Sequence, residues 1–366
     1  MQARALGRLW PRRFYSSFTQ EKVQVRCGSA GFVDITLYNV GRQSPTSPLL
    51  IHLPSFPGSG DALPGFFYRW PVASIAYRWA GGSSWPTPVH DVAFAYAWLA
   101  ANLAPPGLGR RPVYVYGSYL GASLAVSLSL TESHPHARFG VRGVLAYNGV
   151  YNWTMFLPDH RVNAGVDPLK EPLDPPPSHL NDIKDMMPSI FGSPVNLFDA
   201  FASPSLFFHN PGLEVPLSFH LSAEESRLLQ ATENPDFEMY ESKPPRKSHL
   251  VFPPRQSTLK IPEACLMHTL PPEAITRRRK AKTAIFPQGH TFGAQAAELT
   301  ELMRRSVEKI ECKERSAWDD EERDAELEAL KRVEVVEVGK EAQAHELTRS
   351  GHKVAQQWLQ DRMQGP

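Results

Sequence analysis

The sequence has few cysteines, and they are widely spaced. Its 366 residues include only Cys27, Cys265 and Cys312, and no Cys-x-x-Cys pair is formed. This spacing excludes a zinc-finger pattern and a disulfide framework, and it fits a reducing compartment. His134 and His136 offer two imidazoles without a third ligand close in sequence. We therefore expect neither a metal site nor a cofactor.

The chain also lacks an excess of charge and a convincing membrane span. Its 39 basic and 38 acidic residues leave a net charge of +1, which gives no reason to expect nucleic acid as a partner. One uncharged run, Pro112–Thr131, is 20 residues long, as a transmembrane helix would be. Because it contains Gly117, Gly121 and four serines, we predict a strand, a tight turn and a buried helix there, and no transmembrane segment.

The first 15 residues differ in charge from the rest of the chain. Four arginines alternate with apolar side chains, and the first acidic residue is Glu21. This composition is typical of a mitochondrial transit peptide, which predicts a location in the mitochondrial matrix. Arg13–Ser17 resembles the cleavage context of fungal mitochondrial presequences. An accidental basic start is the alternative.

Apolar patterning predicts a core of strands and helices, and 42% of the residues are hydrophobic. Two alternating segments on either side of Gly28–Gly31 predict a β-hairpin. Strands that alternate with helices over residues 48–150 predict a mostly parallel sheet with helices on both faces. Further strands are predicted at 48–53, 72–79, 112–116, 141–147, 261–269 and 283–287.

Proline is distributed unevenly, and this divides the chain. Residues 157–260 contain 16 of the 34 prolines and lack regular patterning, which predicts a cap inserted into the fold. Residues 298–366 contain 17 acidic and 12 basic residues, which predicts a charged helical C-terminal extension with one long helix over 294–333. The expected segments are the leader (1–15), two parts of the core (16–156 and 261–310), the Pro-rich cap (157–260) and the charged helical tail (311–366).

The strongest motif, Gly117-Ser118-Tyr119-Leu120-Gly121, lies between a predicted buried strand and a helix. This is the context of a nucleophile elbow, Gly-x-Ser-x-Gly, whose central residue has a strained backbone. Residues two positions from the centre must be small because the strand and helix backbones approach closely. Gly117 and Gly121 meet that need, but Tyr119 stands where the motif has serine.

The register of this turn decides which residue acts as a nucleophile. If Ser118 were central, bulky Tyr116 and Leu120 would occupy the positions that need glycine, so Tyr119 is predicted to be central. A tyrosine hydroxyl there lies too far from the centre of the turn to take the place of a serine hydroxyl. Its unperturbed pKa of about 10 also makes it a poor nucleophile at neutral pH. Ser118 is the alternative nucleophile if the turn is remodelled.

These features resemble the α/β-hydrolase superfamily, especially the esterase and lipase branch related to hormone-sensitive lipase, and the chain looks like a fungal mitochondrial member. The resemblance covers about residues 22–155 and 261–310. His52 followed by Gly58-Ser59-Gly60 is similar to the oxyanion loop of those esterases. Gly289-His290 matches the position of their catalytic histidine after the last predicted strand.

The resemblance implies an α/β-hydrolase fold and, for an active enzyme, hydrolysis of a carboxylic ester or a related acyl bond. The catalytic residues that it implies are Ser118 as nucleophile, His290 as base and Glu273 as the orienting acid. The oxyanion hole that it implies is formed by Gly58, Ser59 and Tyr119. The chain departs from the family in its replaced serine, in the missing Asp after the seventh strand and in the missing glycine run of the oxyanion loop.

Two functions remain open from the sequence. The first is an esterase-like enzyme that acts on a small acyl or ester substrate through a non-standard site. The second is a catalytically inactive α/β-hydrolase-fold protein that binds a ligand or serves as a mitochondrial assembly subunit, with a protein partner held by the charged tail. The retained Gly289-His290 favours the first, and Tyr119 at the centre of the turn favours the second.

Overall fold

The computed structural model describes residues 19–58, 63–79, 82–163, 178–234, 245–271, 291–312, 321–341 and 345–363. The strands in these ranges are β1 (Gln20–Arg26), β2 (Phe32–Tyr38), β3 (Leu49–Leu53), β4 (Val72–Ala76), β5 (Arg111–Ser118), β6 (Phe139–Tyr147), β7 (His209–Asn210), β8 (Ser248–His249), β9 (Glu263–Leu270) and β10 (Val333–Lys340). The α-helices there are α1 (Thr87–Leu103), α2 (Leu120–Thr131), α3 (His179–Phe191), α4 (Ala223–Glu233), α5 (Phe292–Ser306), α6 (Glu321–Arg332) and α7 (Arg349–Met363).

Eight of these strands form one sheet, in the order β1-β2-β4-β3-β5-β6-β9-β10. β1 pairs antiparallel with β2, and β2 pairs antiparallel with β4. All neighbouring pairs from β4 to β10 are parallel. The predicted N-terminal hairpin and the mostly parallel sheet are therefore confirmed.

The centre of the sheet is buried on both faces, as its continuous apolar runs predict. All five residues of β3 are buried, and so are the last six residues of β5. Helix α2 is buried from Leu120 to Leu130, which accounts for the uncharged run that β5 and α2 share. Within the described ranges, no helix has the length and apolar character needed to cross a bilayer.

The Pro-rich insertion lies between β6 and β9, and its first helix packs against the core. Helix α3 buries Ile190 and Phe191. The indole N–H of Trp79 donates to the Ile190 carbonyl at 2.8 Å, and the Phe191 ring meets Trp79 edge-on with centroids 5.5 Å apart. The short ladder of β7 and β8 also belongs to this insertion.

The C-terminal segment differs from the expected single helix over 294–333. Helix α5 ends at Ser306, α6 ends at Arg332, and the next eight residues form β10, parallel to β9. Four valines in these eight residues favour extended backbone, because β-branched side chains fit a pleated surface better than a helix. Trp358 of α7 is buried against Tyr114, so the segment beyond residue 311 contains the expected helices but also completes the core. The predicted leader (1–15) and the predicted strand at 283–287 lie outside the described residues.

Candidate active site

The turn between β5 and α2 places Tyr119 at its apex. Tyr119 has φ of 50° and ψ of −116°, a conformation that costs a non-glycine residue about 1–3 kcal/mol. A side chain at Gly117 would collide with the carbonyl of Gly121, and one at Gly121 would collide with the carbonyl of Pro54. Glycine therefore permits the close approach of β5, α2 and the loop after β3. Ser118 is the last residue of the strand.

The ring of Tyr119 is enclosed by other rings, and only 1% of the residue is exposed. Phe56 stacks on it with centroids 5.7 Å apart. Tyr147, Phe292 and His345 meet it edge-on at 5.7, 5.8 and 5.1 Å. Burial, together with the nearby Tyr147 hydroxyl, raises the pKa of Tyr119 above its ordinary value. The phenol is therefore neutral at physiological pH.

The hydroxyl of Tyr119 is linked to the cap by one imidazole. Its oxygen lies 3.0 Å from Nδ1 of His179, the first residue of α3, and Asn148 Nδ2 donates to it at 3.4 Å. The same Nδ1 lies 3.2 Å from Glu341 Oε1, which also accepts the backbone N–H of His179 at 3.0 Å. Burial raises the pKa of Glu341, and the nearby His179 opposes this rise. Core, cap and the segment after β10 therefore meet at His179.

The backbone N–H groups at the apex already have partners. Tyr119 N–H donates to the Tyr147 carbonyl at 2.9 Å, and Leu120 N–H donates to the Ser55 carbonyl at 3.2 Å. Stabilisation of an oxyanion requires N–H groups that point at the developing charge. In this structure these two groups point at protein carbonyls instead.

Ser118 faces a different environment from Tyr119. Its Oγ lies 2.8 Å from Oγ of Ser55, and each of the two serines is only 5% exposed. Both hydroxyls line a cavity of about 250 Å3, to which His52, His345 and His352 also contribute. Serine and imidazole side chains thus share one cavity beside the turn.

The remaining residues predicted from sequence fall mostly outside the described part. Glu273, His290 and Ser59 lie there, so the structure gives them no geometry. Gly58 follows β3 in the loop that packs near the turn, with a positive φ of 71°. Within the described residues, no group of three or more His, Cys, Asp or Glu side chains is arranged to hold a metal ion.

Sequence reasoning missed His179 and His345, which both contact the Tyr119 ring. His345 lies in the C-terminal segment. His345 follows β10, the last strand of the sheet in the described ranges, whereas His290 precedes α5. The high charge of residues 311–366 predicts a helical tail there, with no strand and no histidine after a strand. The valine-rich pattern Val-Glu-Val-Val-Glu-Val over 333–338 was the signal for a half-buried strand.

Comparisons with known proteins find similar solved structures but no matching sequences. No protein-family model matches the chain, and no curated protein sequence matches it. The carboxylesterase EstE1 from a metagenomic library is similar in structure, with a TM-score of 0.52 and 13% identity over 95% of this chain and 90% of that chain. An esterase of Pyrobaculum calidifontis has a TM-score of 0.49 and 13% identity, over 93% of this chain and 83% of that chain. Carboxyl esterase 2 of Tuber melanosporum has a TM-score of 0.48 and 11% identity, over 96% and 87%.

Identities this low bear on the fold alone. The likeness to EstE1 extends over nearly the whole of both chains, and it agrees with the mostly parallel sheet and its helices. The chain therefore has the α/β-hydrolase fold.

Proposed function

We propose that this protein is a non-hydrolytic member of the α/β-hydrolase fold, which acts by binding a ligand or a partner. The observation that carries this proposal is Tyr119 at the apex of the turn, with its ring enclosed and its hydroxyl held by His179. In this fold the apex residue is the nucleophile of ester hydrolysis. A buried tyrosine there leaves no serine in the attacking position.

Two further features support a site without acyl transfer. The Tyr119 ring occupies the space beside the turn where an acyl group would bind, and burial of the phenol opposes its ionisation to a nucleophile. Leu120 is the residue directly after the apex. Its N–H donates to the backbone carbonyl of Ser55, so it does not point at the position of an oxyanion. In active hydrolases of this fold, the N–H of that residue is an oxyanion donor.

Ester hydrolysis through Ser118 is the second candidate function, and one observation favours it. Ser118 and His345 line the same cavity, so a serine and an imidazole face one enclosed space beside the turn. The hydroxyl of Ser118, however, is hydrogen-bonded to Ser55, whereas a catalytic serine is activated by its base. In this second scheme His345 would act as the base, in place of His290.

Labelling with a fluorophosphonate probe separates the two functions. The full-length wild type, Ser118→Ala, Tyr119→Ser and Tyr119→Ala are compared. We expect no labelling of the wild type or of Tyr119→Ala, and labelling of Tyr119→Ser, because serine restores a nucleophile where alanine only removes the ring. Labelling of the wild type that disappears in Ser118→Ala would reject the non-hydrolytic function.

We also propose that the protein resides in the mitochondrial matrix as a fungal member of the superfamily. The basic, acid-poor residues 1–15 support this location. Fusion of residues 1–30 to a fluorescent protein in fungal cells tests it, with the four arginines of residues 1–15 changed to glutamine as the control. Cytosolic fluorescence of the unchanged fusion would count against the matrix.

We further propose that the charged C-terminal segment binds a protein partner. Helix α6 exposes 63% of Leu327 and 43% of Leu330 beside its charged side chains. Affinity capture from mitochondria should recover a partner with the wild type and lose it with Leu327→Glu. Recovery of the same partner with both chains would exclude α6 as the contact.

A further inference from the structure

An apolar cavity lies between helices α1 and α2, apart from the turn at Tyr119. Its volume is about 590 Å3, and small-molecule sites occupy roughly 300–1,000 Å3. Its wall comes from α1 and from α2 beyond Leu124, and Phe201 of the cap contributes to it. Helix α2 is 12 residues long, or about 18 Å, and Tyr119 precedes its first residue. The cavity therefore lies toward the end of α2 that is farther from the turn.

The wall on the α1 side consists largely of small side chains. Ala93, Ala97 and Ala100 line the cavity, and their spacing places them on one face of the helix. Larger side chains normally interdigitate between two packed helices and fill the space there. On the other side of the cavity, Leu124 and Leu128 supply apolar surface from α2. Together these side chains form a wall that suits a hydrocarbon group.

The hydroxyl groups of the wall have already used their protons. The Tyr96 hydroxyl donates to the Phe139 carbonyl at 3.3 Å, and the Ser127 hydroxyl donates to the Phe201 carbonyl at 2.9 Å. The Thr131 hydroxyl donates to the Ser127 carbonyl at 3.0 Å. Each hydroxyl has a single proton, so these three groups accept further hydrogen bonds but donate none. An anion therefore finds no donor among them.

One end of the cavity carries negative charge. Glu132 is the C-cap of α2 and lines the cavity. Its side chain is half-buried, and within the described residues no hydrogen bond or ion pair reaches its carboxylate. Burial raises the pKa of Glu132, and the nearby His134 opposes this rise. The C-terminus of a helix adds partial negative charge of its own, so a cation at this end gains from both sources.

We propose that this cavity binds a primary aliphatic amine, with its ammonium group at Glu132 and its hydrocarbon chain between the alanines of α1 and the leucines of α2. An ammonium group has three donors and no acceptor, which matches a wall whose side chains only accept. The volume equals that of roughly twenty water molecules, which leaves room for a chain of about eight carbons. The inference does not depend on the proposed function, because an active hydrolase can carry the same site.

Isothermal titration calorimetry of the full chain with octylammonium tests this site, with octanoate and butylammonium as comparison probes. We expect octylammonium to bind and octanoate to bind at least tenfold more weakly, because the wall presents acceptors and a carboxylate. Butylammonium should also bind at least tenfold more weakly, because it buries four fewer methylene groups.

Two variants and two matched controls locate the binding. Glu132→Gln should weaken octylammonium binding about tenfold, because the ammonium loses a charged acceptor. Glu224→Gln, at an exposed position of α4, should leave it unchanged. Ala97→Phe fills the cavity and should weaken binding at least tenfold, whereas Ala297→Phe, at an exposed position of α5, should not. A folding defect in one variant, detected by circular dichroism, leaves the other to decide.

Several results would overturn the site. These are equal or tighter binding of octanoate, and unchanged octylammonium binding in both Glu132→Gln and Ala97→Phe. No heat from any of the three probes would assign the cavity to a macromolecule and reject the amine. Fluorophosphonate labelling of the same preparations separates this inference from the proposed function. Labelled Ser118 rejects the function and leaves the amine site standing, whereas unlabelled protein that ignores octylammonium rejects the site alone.

Discussion

The phenol oxygen of Tyr119 lies 3.0 Å from Nδ1 of His179, and this contact joins the turn after β5 to the first residue of α3. Tyr119→Phe keeps the ring in its enclosure and removes only the hydroxyl. We expect the free energy of unfolding, measured by urea denaturation, to fall by about 1–2 kcal/mol, because two buried polar groups lose a partner. Unchanged stability would mean that the hydroxyl contributes nothing to holding α3.

A second prediction concerns Glu341 and pH. Because burial raises its pKa above 4.5, the native protein holds this proton at pH values where the unfolded chain has released it. The stabilisation that follows is complete below pH 4.5 and is lost as the pH rises through the raised pKa. Relative to Glu341→Gln, which cannot titrate, the wild type should therefore lose stability as the pH rises above 4.5.

Urea denaturation of both proteins at pH 4.5, 5.5 and 7 measures this difference. Glu346→Gln, an exposed neighbour, is the control for the loss of one charge in this segment. A difference between wild type and Glu341→Gln that stays constant with pH would contradict the buried position of Glu341.

A third prediction concerns the ion pair that fixes α1 to the loop after β4. Asp91 is fully buried, and its carboxylate accepts from the Arg78 guanidinium at 2.6 and 2.9 Å and from the Arg78 backbone N–H at 2.8 Å. Asp91→Ala leaves these donors unpaired and should lower the free energy of unfolding by on the order of 3 kcal/mol. Asp34→Asn, at an exposed contact with Gln24, should change it by less than about 0.5 kcal/mol. If the two variants lower the free energy of unfolding equally, the ion pair between Arg78 and Asp91 does not stabilise the fold.

A fourth prediction tests the close approach at the turn. Gly121→Ala places a methyl group against the carbonyls of Leu53 and Pro54. These are backbone atoms, which cannot move aside as the end of a flexible side chain can. We expect a loss of about 3 kcal/mol or more in thermal or urea unfolding. Gly65→Ala, which has open space around the added carbon, is the control and should be nearly neutral. Similar stability of the two variants would contradict the packing of α2 on the loop after β3.

A fifth prediction tests whether the C-terminal segment completes the core. Trp358 is 4% exposed, meets Tyr114 edge-on at 5.9 Å and lies under the Arg362 guanidinium at 4.2 Å. Trp358→Ala should lower the free energy of unfolding by about 3–5 kcal/mol, as loss of a buried aromatic does. Leu327→Ala, on the exposed face of α6, should have little effect. If Trp358→Ala leaves the free energy of unfolding unchanged, the C-terminal segment does not contribute to the core.

Much of the sheet could be predicted because its strands carry their own signal. β3 is a five-residue apolar run that is buried on both faces, and the hairpin of β1 and β2 alternates as a half-buried pair does. β10 was missed because its segment is rich in charge, which favoured a helix. The strand is stabilised by pairing with β9, and β9 is far away in the sequence.

The candidate site was predictable only in part. The positions of Gly117 and Gly121 indicate the turn, since their need for small size is a property of the local backbone. The contacts of Tyr119 with His179 and His345 were not predictable, because these residues approach the turn from the cap and from the segment after β10. No local pattern encodes which distant side chains meet.

The sequence by itself determined the strand–turn–helix and the replacement of serine by Tyr119, because both are set by residue identity over five positions. Only the tertiary structure decided that the Tyr119 ring is enclosed and that the Leu120 N–H donates to the Ser55 carbonyl. It also decided that Ser118 lines a cavity together with three histidines. Burial, hydrogen-bond partners and cavities depend on which distant segments pack together, and the free energy of that packing is a property of the whole chain.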